Sequence, residues 1–233
     1  MTPEAFARAM EATWPPERGW RVGPFRLRHG AGGGKRVSAA TLEGAWGEAD
    51  VRAAQAAMAV PLFRIGPGEE ALDALLAEWG YHLVDPVVAY ARGMADMEPA
   101  PWFAAFPHWP PLQMACDLWA EAGIGPARLA VMARVAGPKA VILGRSQDRP
   151  AGVAFAALTG GCVMVHALEV APDVRRRVVA GGLLRGAADW GRALGASEMA
   201  LVVTRANGPA RALYEKLGMQ VVGGYHYRQK VAE

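Results

Sequence analysis

Leu168-Glu169-Val170-Ala171-Pro172-Asp173-Val174-Arg175-Arg176-Arg177-Val178-Val179-Ala180 decides the reading of this chain. An apolar strand over 163–170 runs through a proline turn into three arginines and directly into a helix. That helix, 180–194, repeats apolar groups at Leu183, Leu184, Ala187, Ala188 and Trp190 and is stopped by Gly195. Backbone N–H groups at a helix start point outward unpaired, and the helix dipole favours negative charge there. With Arg175, Arg176 and Arg177 beside them, the segment reads as a pyrophosphate cradle or as a solvated basic helix start, since anion sites of this kind need exposed amides.

Upstream, the pattern predicts strands over 129–135 and 140–145 around the Ala136-Gly137-Pro138 turn, and a hairpin of 152–158 with 162–170 through Thr159-Gly160-Gly161. Downstream come a buried-type strand over 199–204, a helix from Pro209 to residue 217 with Gly218 as its stop, and a strand over 221–227. Four strands, then helix, strand, helix, strand, is a mixed α/β layout. Towards the N-terminus the spacing predicts a helix over 3–14 and strands over 25–29 and 35–41. Further on it predicts helices over 48–58 and 69–79, a strand over 62–65, and a strand pair over 81–92 bent at Asp85-Pro86. The glycine run 30–34 is no phosphate loop: Arg36 follows Lys35 where Ser or Thr is needed, and His29 stands at the first glycine position. It reads as a hairpin turn. Five prolines within 96–111 mark a junction, dividing the chain into 1–95 and 96–233.

The chain has 233 residues, 52% of them hydrophobic and 20% charged, enough apolar material for a real core. No apolar run reaches the ~18–20 residues that span a bilayer, and Met1-Thr2-Pro3-Glu4-Ala5 lacks a secretory layout. Cys116 and Cys162 are too few for a disulfide framework. These features predict a soluble, cytoplasmic protein, monomer or homodimer, with no membrane partner. The formal charge is +3, and only four of the 25 cationic residues are lysines. The one tight basic cluster, 175–177, suits a small phosphate ligand better than a duplex, so nucleic acid is not expected as a partner. The five histidines show no ligand spacing, and no metal is expected.

Two stretches carry a family resemblance. The segment 168–180 resembles the acetyl-CoA loop of the GNAT superfamily of N-acyltransferases, roughly L-x-V-x-P-x-x-[RQ]-x-x-G-x-[GA]. Asn207-Gly208-Pro209-Ala210-Arg211-Ala212-Leu213-Tyr214-Glu215-Lys216-Leu217-Gly218-Met219 is similar to the family's N-x-x-A-x-x-L-Y-x-x-x-G-F. The two stand at the family's usual separation, and the resemblance covers about residues 100–233. It implies a GNAT fold, a central mixed, mostly antiparallel sheet flanked by helices, and direct transfer of an acetyl group from acetyl-CoA to a primary amine. The acceptor it implies is a small molecule such as an amino acid, polyamine or amino sugar.

Carried over residue by residue, the backbone of Leu168, Glu169 and Val170 would pair with pantetheine like an added strand. Arg175, Arg176, Arg177, Val178, Val179, Ala180 and Gly181 would form the pyrophosphate loop, and Asn207 would hydrogen-bond the pantetheine arm. Tyr214 would protonate the departing thiolate, since a phenol with an ordinary pKa near ~10 is protonated at neutral pH. Val178 stands where the family has its first loop glycine and resists close approach to phosphate. That departure implies weaker CoA binding, and it favours the alternative of a catalytically impaired pair acting as a CoA or metabolite-binding module. A mycothiol-synthase-like tandem acyltransferase is the other alternative.

Two residues are candidate general bases, His166 and Glu169, which simple strand alternation puts on opposite faces. The first half also echoes the second. Leu75-Leu76-Ala77-Glu78-Trp79-Gly80-Tyr81 lines up with Leu213-Tyr214-Glu215-Lys216-Leu217-Gly218-Met219, each preceded by a helix and a strand. On that alignment the chain is a tandem of GNAT-like halves, the first degenerate: Leu76 replaces the tyrosine and no V-x-P-x-x-R loop precedes it.

Overall fold

A computed structural model describes residues 1–101, 104–174 and 179–230. Helix α1 (Pro3–Thr13) opens the chain and is followed by a small antiparallel sheet, β1 (Arg18–Val22), β2 (Phe25–His29) and β3 (Thr41–Leu42). Then come α2 (Glu48–Ala56), β4 (Leu62–Ile65), α3 (Glu70–Glu78) and β5 (His82–Gly93). The rest of the chain supplies β6 (Ala105–His108), α4 (Gln113–Glu121), α5 (Pro126–Arg134), β7 (Lys139–Ser146), β8 (Arg149–Thr159) and β9 (Cys162–Val170). It ends with α6 (Val179–Ala193), β10 (Glu198–Thr204), α7 (Gly208–Lys216) and β11 (Gln220–Gln229).

Eight strands form one sheet in the order β4-β11-β5-β10-β9-β8-β7-β6, antiparallel throughout except for β9 beside β10. A parallel bridge from Ala40 to Phe63 joins the small sheet to its edge. The predicted mixed α/β class and mostly antiparallel sheet are therefore observed. The centre of the sheet is interlaced. Each of the units β4–α3–β5 and β10–α7–β11 leaves a gap between its own strands, and the final strand of the other fills it. Both neighbours of β11 consequently lie before residue 96, and β10 pairs along its length with β5, from Glu198 opposite Gly93 to Thr204 opposite Val87.

Both faces of the β7–β10 region are covered, which is why β8 reads as a continuous apolar run. On one face α6 and α7 pack Leu183, Leu184 and Tyr214 against Val163, Val165 and Leu201. On the other, Trp14, Trp119, Val131 and Met132 cover Val141, Val153 and Phe155. Helix α6 lies close because it has no side chain at two contacts: a Cβ on Gly191 would collide with Val163, and one on Gly186 with Ala105.

Several boundaries differ from the sequence expectation. The strand expected over 129–135 is part of α5: Gly125 and Pro126 start a helix there, and the apolar run fits either period over so short a length. The strand expected over 35–41 is a short 3-10 turn, Lys35–Val37, before the two-residue β3. The pair expected over 81–92 is one strand, with Asp85 at φ 45° absorbing the bend. Strand β6 was not expected because Pro107 sits inside it. An edge strand tolerates proline, and β6 is the edge.

Candidate active site

The site begins where the one parallel pair separates. Strands β9 and β10 pair from Cys162 opposite Glu198 to Val165 opposite Leu201, and there their ladder ends. The cause lies in β9. Ala167 adopts φ 48°, and the register against β8 slips from His166 opposite Phe155 to Glu169 opposite Val153. One extra residue on β9 is a bulge, which bends its strand. The Trp119 indole N–H donates to the Ala167 carbonyl at 2.8 Å and fixes the bend. Strand β10 meanwhile continues along β5. The diverging strands open a cleft of about 400 Å³ whose wall includes Leu168, Glu169, Val202, Asn207 and Tyr214.

The bulge also corrects the expectation that His166 and Glu169 face opposite ways. Their partners Phe155 and Val153 are two apart on β8 and share a face, so His166 and Glu169 share one too. Both border the cleft.

His166 is 4% exposed, with its ring 4.9 Å from that of Trp14. An arginine can only donate, so Arg36 Nη1, 3.0 Å away, makes Nδ1 the acceptor. The ring proton then sits on Nε2 and is donated to Thr13 Oγ1 at 2.9 Å, while that hydroxyl donates to the Ala9 carbonyl at 2.7 Å. Burial first, and the Arg36 charge second, hold this imidazole well below the usual histidine range. It is neutral at physiological pH and both its nitrogens are engaged.

Tyr214 comes from α7. Asn207 starts that helix as its N-cap, with Oδ1 accepting from the Ala210 N–H at 3.2 Å. This leaves the Asn207 amide group, rather than its oxygen, for other partners. Tyr214 is 6% exposed and meets Tyr90 edge-on at 5.6 Å between ring centres. Tyr90 is itself held, donating to Glu215 at 2.9 Å and accepting from Arg211 at 3.3 Å. Burial, then the nearby Glu169 carboxylate and Tyr90, push the Tyr214 phenol up to about 12, so it keeps its proton.

Of the expected pyrophosphate loop, Val179, Ala180 and Gly181 form the first turn of α6. Val179 packs beside the end of β9: a Cβ on Gly152 would stand 2.8 Å from the Glu169 carbonyl and 3.0 Å from Val179. A side chain at Gly181 would meet open space. Arg175, Arg176, Arg177 and Val178 lie outside the described residues. Sequence reasoning missed the first half's contribution to the wall, from Trp14, Lys35, Arg36 and Asp85. Their local signal was the glycine run before Lys35. A Cβ on Gly33 would stand 2.5 Å from Val131, so the glycines let this loop lie against α5. Among the described residues no group of three or more His, Cys, Asp or Glu could hold a metal ion, and no helix is long and apolar enough to cross a membrane.

The profile described as "Acetyltransferase (GNAT) family" matches residues 93–219. No curated protein matches the chain significantly. Among solved structures, a GCN5-related N-acetyltransferase from Kribbella flavida superposes with TM-score 0.70 at 18% identity, covering 100% of this chain and 97% of that one. A second, from Sphaerobacter thermophilus, gives 0.56 at 18% identity over 75% of this chain and 61% of its own. A tandem GNAT protein from the clavulanic acid biosynthesis pathway gives 0.61 at 14% identity, covering 96% and 86%. Sequence profile and fold agree, and the chain belongs to the acetyltransferase (GNAT) family: it is a transferase of acyl groups.

Proposed function

We propose that the protein transfers the acetyl group of acetyl-CoA to a primary amine on a small molecule by direct attack, in the cleft between β9 and β10. The observation that carries this reading is the parting of the parallel strands at the Ala167 bulge, with Tyr214 in the opening. Pantetheine, an extended chain with amide groups, suits the β9 edge at Leu168, Glu169 and Val170, which β10 no longer pairs. The pyrophosphate is assigned to the start of α6 and the arginines before it. In the reaction the amine nitrogen bonds to the acetyl carbon and the C–S bond breaks. Glu169 takes the proton that nitrogen loses, directly or through water, and Tyr214 donates to the departing sulfur. Glu169 is preferred to His166 as base because burial and the Arg36 charge depress the basicity of the imidazole.

We also read the chain as two related halves, 1–95 and 96–233, with the acyl-CoA chemistry in the second. Three features support this. Helix, strand, helix, strand recurs in order, and Ala40, just before β3, bridges Phe63 of β4 in parallel as β9 pairs with β10. Helices α3 and α7 also stop alike, on Gly80 and Gly218, with Tyr81 N–H donating to the Leu76 carbonyl and Met219 N–H to that of Tyr214. In the first half Leu76 replaces the tyrosine. The matching helix α2 starts with Glu48 and Asp50, and the Asp50 carboxylate accepts from the Gly47 N–H at 3.0 Å. Such a helix start repels phosphate.

The test is thiol release from acetyl-CoA on adding a panel of amines. Release that needs the amine, and falls ~10²-fold or more in kcat with Tyr214→Phe at nearly unchanged CoA affinity, supports the reading. Unchanged turnover in that variant removes Tyr214 from the mechanism.

A further inference from the structure

The first half sends Lys35, Arg36 and Asp85 to the cleft wall, and no chemistry above uses them. Arg36 follows the glycine run, on the sheet face opposite α6 and α7, where Trp14 and Phe155 lie. Its guanidinium donates to His166 Nδ1 at 3.0 Å, and its carbon lies 5.6 Å above the Trp14 ring. Both contacts are with neutral groups. Among the described residues no carboxylate lies within ion-pair distance of Arg36, and its Nε is buried without a hydrogen-bond partner. Its sequence neighbour is different: Lys35 is paired to Asp85 at 2.8 Å. An arginine stays charged at every physiological pH, and leaving it half-buried without a counter-ion costs free energy. Proteins tolerate that cost where a ligand brings the counter-ion.

We propose that Arg36 binds the carboxylate of the acyl acceptor, so that the acceptor is an amine carrying a carboxylate, an amino acid or a close relative. The cleft has the matching polarity. The His166 and Glu169 positions on one face of β9 are separated by about 7 Å, two residues of the paired strand. Arg36 stands at the first position and the Glu169 carboxylate at the second. The Arg36 end of the acceptor cleft attracts an oxyanion. The planar fork of arginine fits a carboxylate with two parallel hydrogen bonds. The support is rigid: Trp14 below, His166 at one nitrogen, and Thr13 holding His166 from behind. A plain polyamine would set its second ammonium against Arg36, which disfavours that class.

This inference rests on the transfer reading above. The test uses the full chain, saturating acetyl-CoA and thiol release. The acceptors are the twenty amino acids, β-alanine, γ-aminobutyrate and glycyl dipeptides, each against its carboxamide, with spermidine and glucosamine alongside. The expected result is turnover confined to carboxylate-bearing amines, with kcat/KM falling ~10²-fold or more for the matched carboxamide. Arg36→Gln should raise KM for the carboxylate acceptor and erase that preference at unchanged KM for acetyl-CoA, which also shows that the variant folds. Arg36→Lys should restore part of the preference. Carboxamides, spermidine or glucosamine accepted as well as the acids would overturn the inference, as would acetyl-CoA binding without transfer to any acid in the panel. Absence of acetyl-CoA binding would instead strike the transfer reading itself.

Discussion

At Tyr214 burial and the Glu169 carboxylate act together on one proton. With its pKa pushed up to about 12, the phenol is a donor from neutral pH through the alkaline range, so it sets no alkaline limit below about 12. Glu169→Gln removes the assigned proton acceptor, and we expect kcat to fall ~10²-fold with little change in acetyl-CoA KM. An unaffected kcat would return the base role to water alone. His166 gives a stability signature. Its folded pKa is depressed, so below about pH 6.5 the unfolded chain binds a proton that the folded chain refuses. Its contribution is fully present above that pH and is lost as pH falls toward the folded pKa. Thermal melts between pH 7.5 and 5.5 should show Tm falling with pH, and a flat profile would contradict the buried neutral imidazole. Tyr214 and Asn207 were legible because their spacing along one helix is local. Arg36 was not: its partner His166 lies 130 positions away, and no local pattern joins them.

Helix α6 and the bulge in β9 set the shape of the cleft. The close seat of α6 can be tested with two glycines on the same helix. Gly191→Ala drives a Cβ into Val163 and should cost ~1–3 kcal/mol. Gly181→Ala meets open space and should be neutral or stabilising by up to ~1 kcal/mol, the helix propensity difference between the two residues. Urea unfolding of both variants checks this, and equal gains would mean that helix propensity alone governs α6. The helix itself could be read from its apolar period and its Gly195 stop. The bulge could not. Alanine gives no warning of positive φ, and the bend depends on an indole 48 positions away. Missing it put His166 and Glu169 on opposite faces. Strand β1 escaped for a plainer reason: its burial is shallow, so its apolar alternation is weak.

For the molecule as a whole, the interlaced centre makes the two halves one folding unit. Residues 96–233 alone lack both neighbours of β11 and one of the two neighbours of β10, and we expect that fragment to be unfolded or aggregated when expressed by itself. Co-expression with residues 1–95 should recover soluble protein with the circular dichroism of the intact chain. A soluble, cooperatively melting 96–233 fragment would contradict the interlacing. The repeat of helix, strand, helix and strand was readable in both halves, but which strand pairs with which is a long-range choice that local sequence does not record. The cleft inherits this joint construction, with Tyr214 and Glu169 coming from the second half and Arg36 from the first. We expect this opening to take acetyl-CoA, and calorimetric titration of the intact protein with acetyl-CoA at low and moderate salt tests that most directly. The expected result is one site per chain with micromolar affinity that weakens as salt rises. No binding up to millimolar acetyl-CoA would contradict it.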